Sequence, residues 1–189
     1  MAVQKTAQNY KICNYCIMDT SDKNIRFDEN GYCNHCRNYI KITNAFKNEC
    51  DLKGGKEKLL KNLINQIKKK KTHCKYDCVL GISGGLDSSY LAYYLKSNGI
   101  NPLAVHLDNG WNSELSVDNI THLLKKLEID LFTVVLDWQS FKDLQLSFLY
   151  ASTPDAEIPI DHAIFASLFK VALKFKIKYI ITGEKWLPK

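Results

Sequence analysis

Long hydrophobic runs are missing from this chain. No stretch of its 189 residues reaches the ~18 consecutive apolar residues that a membrane-spanning helix needs. The first residues, Met1-Ala2-Val3-Gln4-Lys5, lack the apolar centre of a secretory leader, so the expected location is the cytoplasm. Cysteine is missing from the whole second part, all seven residues preceding Val79. A large excess of one charge is missing too. The net charge of +6 comes largely from Lys53 to Lys75, which a solvated lysine-rich helix explains without a nucleic-acid partner. The length and the 46% hydrophobic content suit one buried core with a small appendage.

What cysteine there is falls into pairs. Cys13-Asn14-Tyr15-Cys16 and Cys33-Asn34-His35-Cys36 stand 16 residues apart, within the C-x₂-C-x₁₅₋₂₀-C-x₂-C metal pattern. In a reducing compartment this spacing argues for metal before disulfides. Each pair is expected to fold as a knuckle, with Asp28-Glu29-Asn30-Gly31 as a hairpin turn between them. Cys13, Cys16, Cys33 and Cys36 would close a tetrahedral, structural site. Zinc is the expected ion and iron the alternative; His35 is an alternative ligand.

The chain is organised around Tyr76 to Leu95. Tyr76-Asp77-Cys78-Val79-Leu80-Gly81-Ile82 reads as a buried strand. Ser83-Gly84-Gly85-Leu86-Asp87-Ser88-Ser89 follows, and then helical spacing that stops at Asn98-Gly99. Strand, glycine turn and helix start aim several backbone N–H groups at one place, where the helix adds a partial positive charge. Glycine allows close approach to a phosphate, and the hydroxyls of Ser83, Ser88 and Ser89 add donors. The Gly-Lys-Ser/Thr ending of the common mononucleotide loop is absent. Asp87 occupies the place of its cation, so a Mg²⁺ ion is expected to offset the repulsion between carboxylate and phosphates.

Taken in order, Lys53 to Lys75 is basic, with Leu59, Leu60, Leu63, Ile64 and Ile67 on one helical face, bounded by Gly54-Gly55 and by Lys68 to Lys71. Three further strands are expected at Pro102–Leu107, Leu131–Leu136 and Lys178–Thr182, the last ending at Gly183-Glu184. Helices are expected from Ser113 to Leu127, from Phe141 to Tyr150 and from Pro159 to Lys176. The alternation implies a parallel α/β sheet with right-handed crossovers, whose ligands bind beyond the carboxyl ends of the strands. The expected organisation is a metal module over residues 1–50, a linking amphipathic helix over 51–75 and a nucleotide domain over 76–189. His106 reads as a strand residue. Asp108 is a candidate for a ribose contact or for a turn role. The acidic, proline-bounded segment Thr153 to His162 offers Asp155, Glu157 and Asp161 as substrate residues, with helix capping by Asp161 as the plain alternative.

Ser83-Gly84-Gly85-Leu86-Asp87-Ser88 resembles the pyrophosphatase loop of the N-type ATP pyrophosphatases, which include GMP synthetase, NAD synthetase, argininosuccinate synthetase and tRNA thiolation enzymes. The resemblance implies a Rossmann-like, adenine nucleotide alpha-hydrolase-like sheet with an N-terminal Cys₄ zinc-ribbon-like module. It also implies an ATP-dependent ligase that adenylates a carbonyl oxygen and releases pyrophosphate. On that resemblance Ser83 and Asp87 are the candidate catalytic residues. Gly84, Gly85, Ser88 and Ser89 would hold the pyrophosphate, the backbone around Leu107 the adenine, and Gly183 the α-phosphate.

Along nearly its whole length the chain is similar to the N-acetyl sugar amidotransferase family of surface-polysaccharide and flagellar sugar pathways. Cys13 to Asp22, Ile25 to Cys36, the loop and Pro154-Asp155 carry this similarity. It implies conversion of an acetamido to an acetamidino group on a free or nucleotide-linked N-acetyl sugar. Ala2 rules out an N-terminal cysteine nucleophile, and no cysteine occupies a glycine elbow; ammonia is therefore expected from a separate glutaminase subunit. A tRNA thiolation enzyme of the same superfamily is the rival. Sulfur transfer needs reactive thiols beside the ATP, and none follows Cys78. The third reading is a non-catalytic scaffold that binds zinc and nucleotide. Members of the sugar family run longer, so this chain is expected to lack a fifth strand, to leave the fourth as an edge that favours self-association, and to be of doubtful activity alone.

Overall fold

The computed structural model describes residues 10–69 and 75–183, and the chain divides into two compact units, Met1–Lys61 and Asn62–Lys189. Lys70, Lys71, Cys74, Glu184 and the residues after it, named above, lie outside the described residues, as does the start of the chain.

In the first unit two short antiparallel bridges, Ile12 with Asp19 and Phe27 with Cys33, hold the knuckles. The hairpin at Asp28–Gly31 forms as its residues dictate. The Asp28 carboxylate accepts from the amides of Asn30 and Tyr32, and Gly31 takes the left-handed φ of 79° that closes the turn. Helix α1, Asn34–Leu52, then starts inside the second knuckle, with Cys33 as its N-cap. The sequence pattern did not single out this helix, because it buries only Cys36 and Cys50 and so lacks a continuous apolar stripe.

Helix α2, Lys56–Lys69, begins in the first unit and runs into the second. Its apolar face is narrower than its composition: Ile64 and Ile67 are buried, whereas Leu60 and Leu63 are exposed. The two isoleucines join the core of the second unit, so the end of this helix is part of the sheet domain's packing.

The rest of the second unit alternates strand and helix: β1 Cys78–Gly81, α3 Leu86–Ser97, β2 Pro102–Asp108, α4 Glu114–Leu127, β3 Leu131–Val135, α5 Trp138–Tyr150, α6 Ile158–Lys174 and β4 Ile180–Ile181. All pairings are parallel and the strand order is β3-β2-β1-β4. Among the described residues β4 pairs with β1 alone, so it stands at a sheet edge.

Period-two alternation splits the core across the sheet. Cys78 and Leu80 of β1 and Ala104 of β2 face one side, with Ala92, Leu95, Ile120 and Leu124 of α3 and α4. Val79, Leu103 and Val105 face the other, with Leu168, Val171 and Ala172 of α6. The chain steps from β1 through β2 to β3, then reverses past β1 to reach β4. With constant crossover handedness a reversal must carry the connecting helix to the opposite face. Helix α6 packs there.

Two leucines separate packing from exposure. Leu80 is wholly buried and Leu173 is 78% exposed. Leu80→Ala should lose about 3 kcal/mol in urea unfolding, whereas Leu173→Ala should stay within about 0.5 kcal/mol.

Candidate active site

The loop after β1 lies where the strand order reverses. Gly84 has φ +77°, and a Cβ there would come 2.4 Å from the Ser116 carbonyl oxygen in the first turn of α4. Gly85 is the N-cap of α3 and supplies no side-chain cap. The amides of Gly84, Leu86, Asp87 and Ser88 consequently form no hydrogen bond with the described residues. They stand as free donors at the positive end of a helix.

The hydroxyls brace this loop from within. Ser83 N–H donates to Ser88 Oγ at 3.3 Å, Gly85 N–H to Ser83 Oγ at 3.4 Å, and Ser89 Oγ to the Gly85 carbonyl at 2.8 Å. Gly183, just past β4, lies against the start of α3. A Cβ on it would lie 3.3 Å from the Ser88 amide nitrogen, and a larger side chain would cover that donor. Ser83, Gly84, Gly85, Ser88, Ser89 and Gly183 thus lie together around the start of α3.

These groups open into a cavity of about 650 Å³, in the range of small-molecule sites. Its lining includes the polar Ser83, Asp87, Ser88, Asn109 and Asn112 and the apolar Ile82, Leu107, Ile160, Ile164 and Leu168. Among the described residues the Asp87 carboxylate has no hydrogen-bond or ion-pair partner. Asp87 is the residue that would hold a divalent cation here, and such an ion would offset the repulsion between the carboxylate and a polyanion on the amides.

Other candidate residues lie outside this lining. Asp108 does not line this cavity; its carboxylate accepts from Gly110 N–H at 3.1 Å and from Asn112 Nδ2 at 3.0 Å, the turn role. Asp155, Glu157 and Asp161 are also outside the lining. Asp155 accepts from the Glu157 amide at 3.0 Å, and Asp161 sits inside the first turn of α6, so it is not the helix cap. The helix brings Ile160 and Ile164 inward instead. Asn109, Asn112, Ser167 and Thr182 line the cavity and carried no motif; their placement follows only from strand order.

His106 is a buried strand residue that also reaches this lining. Its Nδ1 is 3.1 Å from the Ile82 carbonyl, so Nδ1 carries the proton and ties β2 to the root of the loop. Its Nε2 has no partner among the described residues.

In the first unit the sulfurs of Cys13, Cys16, Cys33 and Cys36 all lie within 4.8 Å of one another. Cys13 and Cys36 are 3.8 Å apart, and Cys16 and Cys33 3.7 Å. A metal–sulfur bond of about 2.3 Å gives a tetrahedral edge of about 3.8 Å, so the cluster can hold a metal ion. Burial opposes ionisation of Cys13, yet amide donors from Tyr15, Cys33 and Cys16 outweigh it and bring the thiol down to about 6. Burial, with its cysteine neighbours, pushes the Cys36 thiol up. His35 is not a member; its Nε2 pairs with Asp22 at 2.7 Å.

Residues 57–146 match the family model of NAD synthase. An uncharacterized protein of Methanocaldococcus jannaschii is 27% identical over 176 residues, 92% of this chain and 58% of that protein. The tRNA(Ile)-lysidine synthase of Chlamydia pneumoniae is 34% identical over 85 residues, 39% of this chain and 27% of that one. The chain therefore spans well under two thirds of these relatives. Among solved structures, an NH₃-dependent NAD synthetase from Campylobacter jejuni overlays with TM-score 0.48 at 17% identity, over 68% of this chain and 56% of that one. The amides of Gly84, Leu86, Asp87 and Ser88 lie within the matched segment.

Two measurements check the geometry. Gly183→Val should weaken ATP binding about tenfold in calorimetry, through one obstructed charge-assisted hydrogen bond. Elemental analysis should find about one thiophilic metal ion per chain, lost in Cys33→Ser together with the fold of the first unit.

Proposed function

We propose that this chain performs the ATP-dependent amidation of an N-acetyl sugar. The observation that carries the reading is a cradle of amides and an Asp87 carboxylate that have no partner among the described residues, in a cavity whose described lining contains no thiol. The acetamido oxygen attacks the α-phosphorus of ATP, and the bond to the bridging oxygen breaks. Pyrophosphate leaves onto the amides of Gly84 to Ser88, and an O-adenylyl imidate remains. Ammonia adds to the imidate carbon, the carbon–oxygen bond breaks, AMP departs and an acetamidino group results. An amide carbonyl is a poor electrophile, which is why the oxygen is converted to a leaving group first. Mg²⁺ held at Asp87 would supply the charge that offsets the phosphates.

Nitrogen rather than sulfur as nucleophile is supported by the cysteines. Four belong to the metal cluster, and Cys78 is buried in β1 with its thiol pushed up to about 12 by desolvation. A thiol in that state is a poor sulfur carrier. Ammonia would come from a separate glutaminase chain, and the reaction would take place in the cytoplasm. A second reading, tRNA modification by the same adenylation chemistry, is favoured by the likeness to tRNA(Ile)-lysidine synthase.

Mass spectrometry of nucleotide-linked N-acetyl sugars, incubated with the protein, ATP, Mg²⁺ and ammonium, tests this. An acetamide-to-amidine change with equal AMP and pyrophosphate is expected, falling about 100-fold or more in Asp87→Ala. Glutamine in place of ammonium should give no product. ATP-dependent modification of tRNA with unchanged sugars would select the second reading, and ATP binding without pyrophosphate release would leave a scaffold.

A further inference from the structure

We propose that Trp111 and Trp138 form a stacking platform for a nucleobase of the second substrate. The proposal rests on the reading of the neighbouring cavity as an adenylation site. Trp111 follows β2 and Trp138 opens α5 after β3, so both stand at the carboxyl end of the sheet, the end that carries the phosphate loop. Trp111 is 64% exposed and Trp138 44%. Large apolar rings left in water on a working face mark binding surfaces.

The pair is held rather than loose. The rings meet edge to face, with centroids 5.4 Å apart and planes at 72°. Trp111 Nε1 donates to Gln145 Oε1 at 2.8 Å, which fixes the ring and satisfies its one polar atom. Its backbone N–H donates to Asn109 Oδ1 at 3.1 Å. Gly110 has φ +81°, and a Cβ there would lie 2.7 Å from Trp138 Cε3, so glycine is what lets the second indole pack against the loop. A stack on such a pre-set ring costs little ordering on binding.

Position and polar neighbours point to a base. Trp111 stands between Asn109 and Asn112, which both line the nucleotide cavity. Asn109 Oδ1 and Asn112 Nδ2 are engaged within the loop. Asn109 Nδ2 and Asn112 Oδ1 have no hydrogen-bond partner among the described residues, leaving one donor and one acceptor beside a flat apolar ring. That combination suits the edge and face of a nucleobase. A nucleotide-linked sugar and an RNA both carry one.

Calorimetry on the full chain distinguishes the sources, with UDP-N-acetylglucosamine, free N-acetylglucosamine and unmodified tRNA as titrants and ATP as internal control. One base-bearing titrant should bind the wild type. Trp111→Ala should weaken it about tenfold or more, Trp111→Phe less, and Gly110→Ala measurably through displacement of Trp138, with ATP affinity unchanged. If tRNA is the titrant that binds and loses affinity, the platform stands and the sugar reading falls. If Trp111→Ala makes acetamidino sugar with wild-type kcat and KM, the platform falls and the sugar reading stands. Binding of neither base-bearing titrant overturns the platform. So does free sugar binding as tightly as its nucleotide-linked form, or unchanged affinity in folded Trp111→Ala and Trp138→Ala proteins.

Discussion

Backbone donors left without partners among the described residues define the candidate site. Every α-helix starts with N–H groups lacking intrahelical acceptors, and side-chain caps normally satisfy one of them. Ser113 caps α4 and Asp137 caps α5 in this way. Helix α3 begins with Gly85, which has no side chain to offer. Helix α6 also lacks a side-chain cap, but α3 is the uncapped helix that starts directly after the glycine turn of β1. A phosphate there exchanges bound water for several aligned donors and the helix's positive end. The glycines keep the approach open on both sides, Gly84 against α4 and Gly183 against the Ser88 amide. Strand pairing sets the second of these, since β4 reaches the loop only because Val79 and Leu80 pair with Ile180 and Ile181.

Asp87 makes sense only against that background. At about 4 Å a carboxylate and a phosphate charge repel by about 1 kcal/mol in water, and by several times that where water is excluded. An acid in the first turn is favourable to the helix itself, so an isolated α3 gains from Asp87 while a bound polyphosphate loses. A divalent cation reverses the second effect without removing the first. Among the described residues the side chain has no ion-pair partner, so a cation bound with the ligand would compensate it.

What could be read in advance was local. The strand, glycine turn and helix start are contiguous, so one stretch of sequence specifies them, and the equal spacing of the cysteine pairs does the same for the knuckles. The buried strands read correctly because both of their faces are covered. Features created by tertiary placement were not legible. Asp108 lies one residue from Asn109, yet the loop turns the first inward to hold its own backbone and the second toward the cavity. Acidity singled out Asp155, Glu157 and Asp161 in the sequence, whereas from α6 the cavity lining takes Ile160 and Ile164. Helix α1 escaped notice because hydrophobic periodicity detects helices that bury a stripe, and this one buries two cysteines.

Those cysteines offer the first unit a means of holding its shape. Around the cluster the buried or partly buried apolar groups are Ile25 and Phe27 beside the sulfurs. So small a core cannot offset the conformational entropy of the knuckles. Metal ligation can, since binding to four thiolates is worth about 10 kcal/mol or more and is available only when the chain is folded. Four thiolates around one divalent ion would carry a net negative charge. The amides of Tyr15, Met18, Cys33 and Cys36 point at the sulfurs from 3.2 to 3.5 Å and oppose that charge. Two of these donors belong to Cys33 and Cys36 themselves, where the second knuckle turns into α1. The helix that sequence periodicity missed therefore supplies, at its N-terminus, part of the field that makes the cluster a ligand set.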